Sequence, residues 1–178
     1  VLLTLSGLPG SGTSTLARRV AAELGIERLD GGSVFRALAA EQHLDLAEYA
    51  RLAEHDEAID RALDERLTDR ARQGTVLLES RLSGWLVHRA ALGGYKVWLA
   101  CGEVERARRV AEREDRNPSE ALAHNQAREA SERVRYRGYY GIDLADLTIY
   151  DLVLDSTERS PSSLETELLA GVRASSAP

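Results

Sequence analysis

Residues 7–15 read Gly-Leu-Pro-Gly-Ser-Gly-Thr-Ser-Thr. Gly7, Gly10 and Gly12 let the backbone turn tightly and bring its N–H groups toward an anion. A helix opening at the end of the segment adds partial positive charge at the same point. The spacing fits the phosphate loop G-x-x-x-x-G-K-[ST] at every position but one. Gly10 and Ser11 fall inside the four-residue insert, Ser14 takes the place of the Mg²⁺-binding hydroxyl, and Thr15 is placed to meet an α-phosphate. Thr13 stands where lysine belongs. Lysine carries a mobile charge to the β- and γ-phosphates, whereas threonine offers one neutral hydrogen bond. Two readings follow: arginines elsewhere replace that charge, or the site binds nucleotide without turning it over.

The arginines are abundant. Lys96 is the one lysine, and the other 22 basic residues are arginine. Arginine grips phosphates bidentately and keeps its charge, which suits oxyanion binding, although a GC-rich genome favours it too. Arg36 follows a Gly turn after the second expected strand, and Arg81 follows the third. Ligands of a doubly wound sheet gather at the carboxyl ends of strands. Arg36 is therefore read as holding an acceptor phosphate, or as a surface residue paired with Glu41; Arg81 would hold the same phosphate or a sugar. Asp60 and Asp64 share one helix face and accept from a base amine or a ribose, or else form a solvated face. Glu79 ends the third strand and is read as shaping a Mg²⁺ shell through water, or as pairing with Arg81 or Arg36. A phosphate acceptor is already anionic at neutral pH, so the transfer needs no general base; an alcohol would need one. The four histidines share no metal-site spacing.

These residues need strands and helices in alternation to hold them. Strands are expected at 1–5, 26–29, 75–79, 95–100 and 152–155. Helices are expected at 15–24, 33–40 after an Asp30-Gly31-Gly32 turn, two within 46–72 broken near Asp56, a long charged stretch at 103–137, and 161–172. Apolar strands without period-two polarity belong to a parallel sheet covered on both faces. The 178 residues suit one domain. The net charge of −6 argues against a general nucleic-acid coat. One cysteine excludes an intrachain disulfide and a cysteine metal cluster and fits a reducing, cytoplasmic setting. No apolar run is long enough to span a membrane, and 1–5 is too short for a signal peptide.

The loop resembles that of the archaeal-type cytidylate kinases, a branch of the nucleoside monophosphate kinases in which threonine commonly replaces the loop lysine. The likeness continues in order through Phe35-Arg36, Ala58–Arg61 with Leu63–Arg66, Leu78-Glu-Ser-Arg-Leu-Ser-Gly-Trp85, Arg109 with Arg113-Glu114, Ser131-Glu132 with Arg135-Tyr136, Tyr140–Asp143 and Tyr150–Leu154. It implies a P-loop three-layer α/β/α fold: a five-stranded parallel sheet, an acceptor-binding helical region at about 31–73 and a helical lid insert at about 109–143. It implies ATP and Mg²⁺, a CMP or dCMP acceptor, and a monomer. It makes Arg109, Arg113, Arg128 and Arg135 the catalytic lid arginines, and Ser33, Arg36, Asp60, Arg81 and Gly84 the acceptor site, with Asp143 orienting a lid arginine. Two departures fall on the acceptor side: Asp30-Gly31-Gly32-Ser33 replaces S-A-G-E, and Ser80 replaces a glycine. They leave open a small-molecule kinase of the same fold, and Thr13 leaves open a weakly catalytic nucleotide-binding module.

Overall fold

The computed structural model describes residues 1–175, at Ala47 the backbone only. The order is β1 (Leu2–Gly7), α1 (Thr13–Leu24), β2 (Arg28–Asp30), α2 (Gly31–Glu41), α3 (Leu46–Ala53), α4 (Glu57–Arg72), β3 (Val76–Glu79), α5 (Ser83–Arg89), β4 (Tyr95–Ala100), α6 (Glu103–Glu114), α7 (Pro118–Tyr140), β5 (Leu152–Asp155) and α8 (Pro161–Ser175). The five strands form one sheet ordered β2-β3-β1-β4-β5, with every pairing parallel. From β1 the chain crosses to the edge strand β2, returns to β3 beside β1, and then passes to β4 and β5 on the other side. The crevice at the strands' carboxyl ends therefore opens beside β1, the switch point of such sheets. In register, Leu5 lies beside Glu79 and Gly7 beside Leu99. The phosphate loop thus emerges next to the residues that leave β3.

Alternation along the strands divides the core between two faces. Leu3, Leu5, Leu77, Val97, Leu99 and Leu154 pack with the apolar stripes of α1 and α8. Val76 and Leu78 pack with α2, α3, α4 and α5. This is the expected three-layer α/β/α arrangement. Among the described residues no helix is long and apolar enough to cross a membrane.

Several boundaries move from their expected places for local reasons. Helix α1 begins at Thr13, because Gly12 adopts the left-handed conformation at its N-cap (φ 94°). The Asp30-Gly31-Gly32 segment is no free turn. Asp30 caps α2 by accepting from the Ser33 N–H at 2.8 Å, so both glycines lie in the first helical turn. The long charged stretch is a helical hairpin, broken where Asp115 turns left-handed and Asn117 caps α7 ahead of Pro118. Helix α5 was not expected at all. It packs on the side of β1 that carries Ser6, whose Oγ lies 3.0 Å from Ser83 Oγ and accepts from the Gly84 N–H at 3.2 Å.

That packing corrects the acceptor-site role expected of Gly84. The residue is buried, and a Cβ there would stand 2.4 Å from Cε1 of Tyr150. Gly84 is a point of close approach between α5 and the segment before β5, away from the cleft. Gly84→Ala is expected to lower stability by about 1–3 kcal/mol, as overpacking does. A denaturant midpoint equal to wild type would show that the contact is looser than described.

Candidate active site

A cleft of about 1070 Å³ opens at the carboxyl ends of β1 and β3. Its floor is the phosphate loop, where Gly7, Gly10, Thr13 and Ser14 line it. The N–H groups of the first turn of α1 have no partner within the helix, and no side chain caps them. They are offered to an anion. Thr15 is exposed in that same turn. Ser11 differs from its expected role. It is fully buried, and its N–H and Oγ both donate to the Leu8 carbonyl, at 3.1 and 2.8 Å. It braces the loop and presents nothing to a ligand.

Ser14 Oγ donates to Glu79 Oε1 at 2.6 Å. The other oxygen of Glu79 accepts from Arg28 Nε at 2.8 Å, so its partner is neither Arg81 nor Arg36. A buried carboxylate therefore fixes the loop hydroxyl, and Arg28 compensates its charge.

One wall carries the expected acceptor residues. Arg36 is exposed at the cleft and tethered by Ser33 Oγ, 3.1 Å from its Nη2. Ser33 itself does not line the cleft, because its N–H and Oγ both donate to the Asp30 carboxylate. It orients Arg36 and is not free to contact a substrate. Ser80 lines the cleft, with an Oγ closed off from solvent and without a protein partner among the described residues. Its Cβ lies 3.1 Å from where a Gly31 Cβ would stand, so the side chain at 80 occupies the space that glycine at 31 leaves. Asp60 and Asp64 are both buried and line the cleft.

The opposite wall is α7. Its buried residues are Ala121, Asn125, Glu129, Glu132 and Tyr136, a stripe that is polar through its middle. Arg135 Nη1 donates to Asp60 Oδ2 at 2.8 Å, and Tyr140 Oη to Asp64 Oδ2 at 2.6 Å. Glu132 accepts from Arg81 Nε at 2.9 Å and from Arg128 Nε at 2.9 Å. Arg113 is exposed on the cleft and pairs with Glu114. The structure thus brings Arg113, Arg128 and Arg135 together with Arg36 and Arg81 around one space. It does not bring Arg109 there. That side chain donates to Glu105 and to the carbonyls of Ser11 and Ser156, outside the cleft. The geometry of neighbouring loops captures it, and its expected catalytic role is corrected to one of support. Asp143 pairs with Arg137, which lies off the cleft.

Charge and burial compete at these pairs. Burial works against the Arg81 charge, but the Glu132 carboxylate more than offsets it, and the guanidinium holds its proton more tightly than usual. Burial likewise opposes the Glu132 charge, yet Arg81 and Arg128 keep its pKa below the ordinary range. At Asp60 burial wins, against the pull of Arg135, and the pKa rises. Asp64, with no guanidinium bonded to it, is pushed by burial up to about 7, against the Tyr140 hydrogen bond.

Glu132, Glu129 and Arg106 carry much of this arrangement and were missed as site residues. Their signal was present. Positions 121, 125, 129, 132 and 136 recur at helical spacing, and Arg106 falls on the same face as Ala107, Val110 and Ala111, the buried face of α6.

The family model described as the cytidylate kinase-like family matches residues 2–158. A cytidylate kinase of Halobacterium salinarum is 46% identical over 175 residues, covering 98% of this chain and 90% of the relative. A cytidylate kinase of Pyrococcus horikoshii is 40% identical over 164 residues, covering 92% and 84%. Among solved structures, a shikimate kinase from Bacteroides thetaiotaomicron aligns with a TM-score of 0.64 at 14% identity, over 97% of this chain and 98% of that one, a likeness of fold alone.

The Asp64 environment makes a pH prediction. The folded chain keeps the Asp64 proton up to about pH 7, whereas an unfolded aspartate releases it near pH 3.9, an approximate reference value. The folded state holds more protons in that window, so this group's contribution to stability is lost as pH rises from about 4 to about 7. Asp64→Asn removes the slope. Denaturant melts across that window are expected to show wild type losing stability relative to the variant as pH rises. A flat difference would mean that Asp64 is hydrated.

Proposed function

We propose that this chain, which belongs to the cytidylate kinase-like family, transfers the γ-phosphoryl group of ATP to the phosphate of CMP or dCMP. The observation that carries this reading is one cleft with a phosphate loop as its floor, two arginines and two carboxylates on one wall, and the arginines of α7 facing them. The loop N–H groups of 12–15 receive the β- and γ-phosphates. Arg36 and Arg81 hold the acceptor phosphate. Asp60 and Asp64 face its base or ribose. An acceptor phosphate oxygen attacks the γ-phosphorus, and the bond to the β,γ-bridging oxygen breaks. The products are ADP and the cytidine diphosphate. The attacking oxygen is already anionic, so positioning and charge stabilisation carry the reaction.

The α6–α7 hairpin serves as the lid. Arg113, Arg128 and Arg135 supply the charge that Thr13 does not. Arg128 and Arg135 rest on Glu132 and Asp60, and phosphate oxygens take the place of those carboxylates when the substrates enter. Ser14 with Glu79 fits a Mg²⁺ site: both offer oxygen, the preferred donor of this ion. No cluster of three or more His, Cys, Asp or Glu suited to a metal exists among the described residues, which agrees with an ion held largely by the nucleotide's own phosphates. When bound, Mg²⁺ supplies charge neutralisation at those phosphates. A cytoplasmic setting belongs to the same reading, supported by the single cysteine.

Release of ADP from Mg-ATP should be stimulated by CMP or dCMP well above other nucleoside monophosphates, sugars and a no-acceptor blank. Silence with every monophosphate, alongside intact ATP binding, would overturn the proposal. Arg113→Ala or Arg135→Ala should each lower kcat by about 10²–10³, as loss of one transition-state donor does. A turnover unchanged in both would remove the lid assignment. Glu79→Gln should raise the Mg²⁺ concentration needed for half-maximal turnover, and an unchanged requirement would place the ion elsewhere.

A further inference from the structure

A phosphate loop offers an anion its N–H groups only when its carbonyls are turned elsewhere. Three of these carbonyls end on three different arginines. Gly7 O accepts from Arg81 Nη1 at 2.8 Å, Pro9 O from Arg106 Nη1 at 3.2 Å, and Ser11 O from Arg109 Nη1 at 3.3 Å. Ser156 Oγ adds a second bond to Ser11 O at 2.7 Å. Of the carbonyls between them, Leu8 O accepts from Ser11. Each arginine is held in turn by a carboxylate of the hairpin. Glu132 of α7 binds Arg81, Glu129 of α7 binds Arg106 in a buried ion pair, and Glu105 of α6 binds Arg109 at 2.7 Å.

These carboxylates offset guanidinium charge at the loop, and two are shared: Glu132 also holds Arg128, and Glu105 also holds Arg108. What the three guanidiniums supply is direction. Peptide planes are rigid, so a carbonyl fixed outward fixes its N–H partner inward. The contact with α6 is close. At Gly10 (φ 84°) a Cβ would stand 2.5 Å from the Arg106 carbonyl oxygen.

We infer that Arg81, Arg106 and Arg109 form a positioning ring that turns the carbonyls of Gly7, Pro9 and Ser11 out of the cradle. Because the ring is anchored by Glu105, Glu129 and Glu132, it couples the seating of the hairpin to the loop's affinity for donor phosphates. The inference rests on the reading of the loop as the ATP site, so donor and acceptor binding are measured separately.

Arg106 is the cleanest probe, since it is buried and does not line the cleft. In Arg106→Lys a charge remains for Glu129, but an ammonium cannot span Glu129, Pro9 O and Cys101 O as the fork does. In Glu129→Gln the arginine stays and its anchor weakens. Calorimetry on each variant, with folding checked by circular dichroism, would use ATP, inorganic tripolyphosphate and CMP. ATP and tripolyphosphate are expected to bind about tenfold or more weakly, as misplaced binding groups do. CMP affinity is expected to stay at the wild-type value. A role confined to stability would lower the melting temperature and leave the ATP-to-CMP affinity ratio unchanged. That outcome, or unchanged ATP binding in either folded variant, overturns the ring. Wild-type protein that binds neither ATP nor tripolyphosphate overturns the reading of the loop, and the ring with it.

Discussion

Mutual repulsion among guanidiniums is the constraint on which this structure depends. A cleft that moves phosphoryl groups needs several cations aimed at one space. Arg36, Arg81, Arg113, Arg128 and Arg135 all line the cleft. The chain answers with carboxylates set between them. Glu132 sits between Arg81 and Arg128, and Asp60 receives Arg135. A buried ion pair contributes little net stability because desolvation offsets its attraction, but it holds geometry firmly. Here geometry is what the chemistry requires.

The same constraint accounts for the composition. A chain with 22 arginines and a net charge of −6 first reads as a contradiction for an anion-binding protein. The acids are the counterweights of the site: Glu79 against Arg28, Glu129 against Arg106, Glu105 against Arg109. The polar stripe of α7 follows from this role. A helix that covered the cleft with leucine would leave the arginines beneath it unpaired. It would also seal the cleft too firmly to be displaced by substrate. Of that stripe, Glu132 reaches the cleft and holds Arg81 and Arg128, while Glu129 seats the helix on Arg106 away from it.

Much of this was legible in the sequence, and what was missed has a common cause. The sheet, the loop and the helical character of 103–137 follow from apolar runs, glycine spacing and charge pattern, all of them local signals. The β2–α2 boundary was misjudged because Asp30 was read as part of a turn when its carboxylate caps a helix. The resemblance places Gly84 at the acceptor site, yet Tyr150, far along the chain, claims its space. The resemblance assigns Arg109 to the phosphates, but the carbonyls of Ser11 and Ser156 take its guanidinium. In each case a contact distant in sequence decides what a locally correct residue does. Glu132 differs: its place in the helical stripe of α7, a local signal, marks it as buried.

The absence of lysine at position 13 fits the same account. A lysine there would add another cation to a wall whose carboxylates are already engaged: Glu79 by Ser14 and Arg28, Asp60 by Arg135, Glu132 by Arg81 and Arg128. An ammonium there would add to the repulsion among the arginines that line the cleft. Threonine avoids that cost and keeps a hydrogen-bond donor. Arg113, Arg128 and Arg135 each stand beside a carboxylate at the cleft. On the proposed reading they carry the charge that lysine would carry, and moving the cation from the loop to the hairpin links that charge to closure. On the same reading the full positive field forms only when the hairpin is seated over both substrates, which favours transfer to a bound acceptor over loss of the phosphoryl group to water.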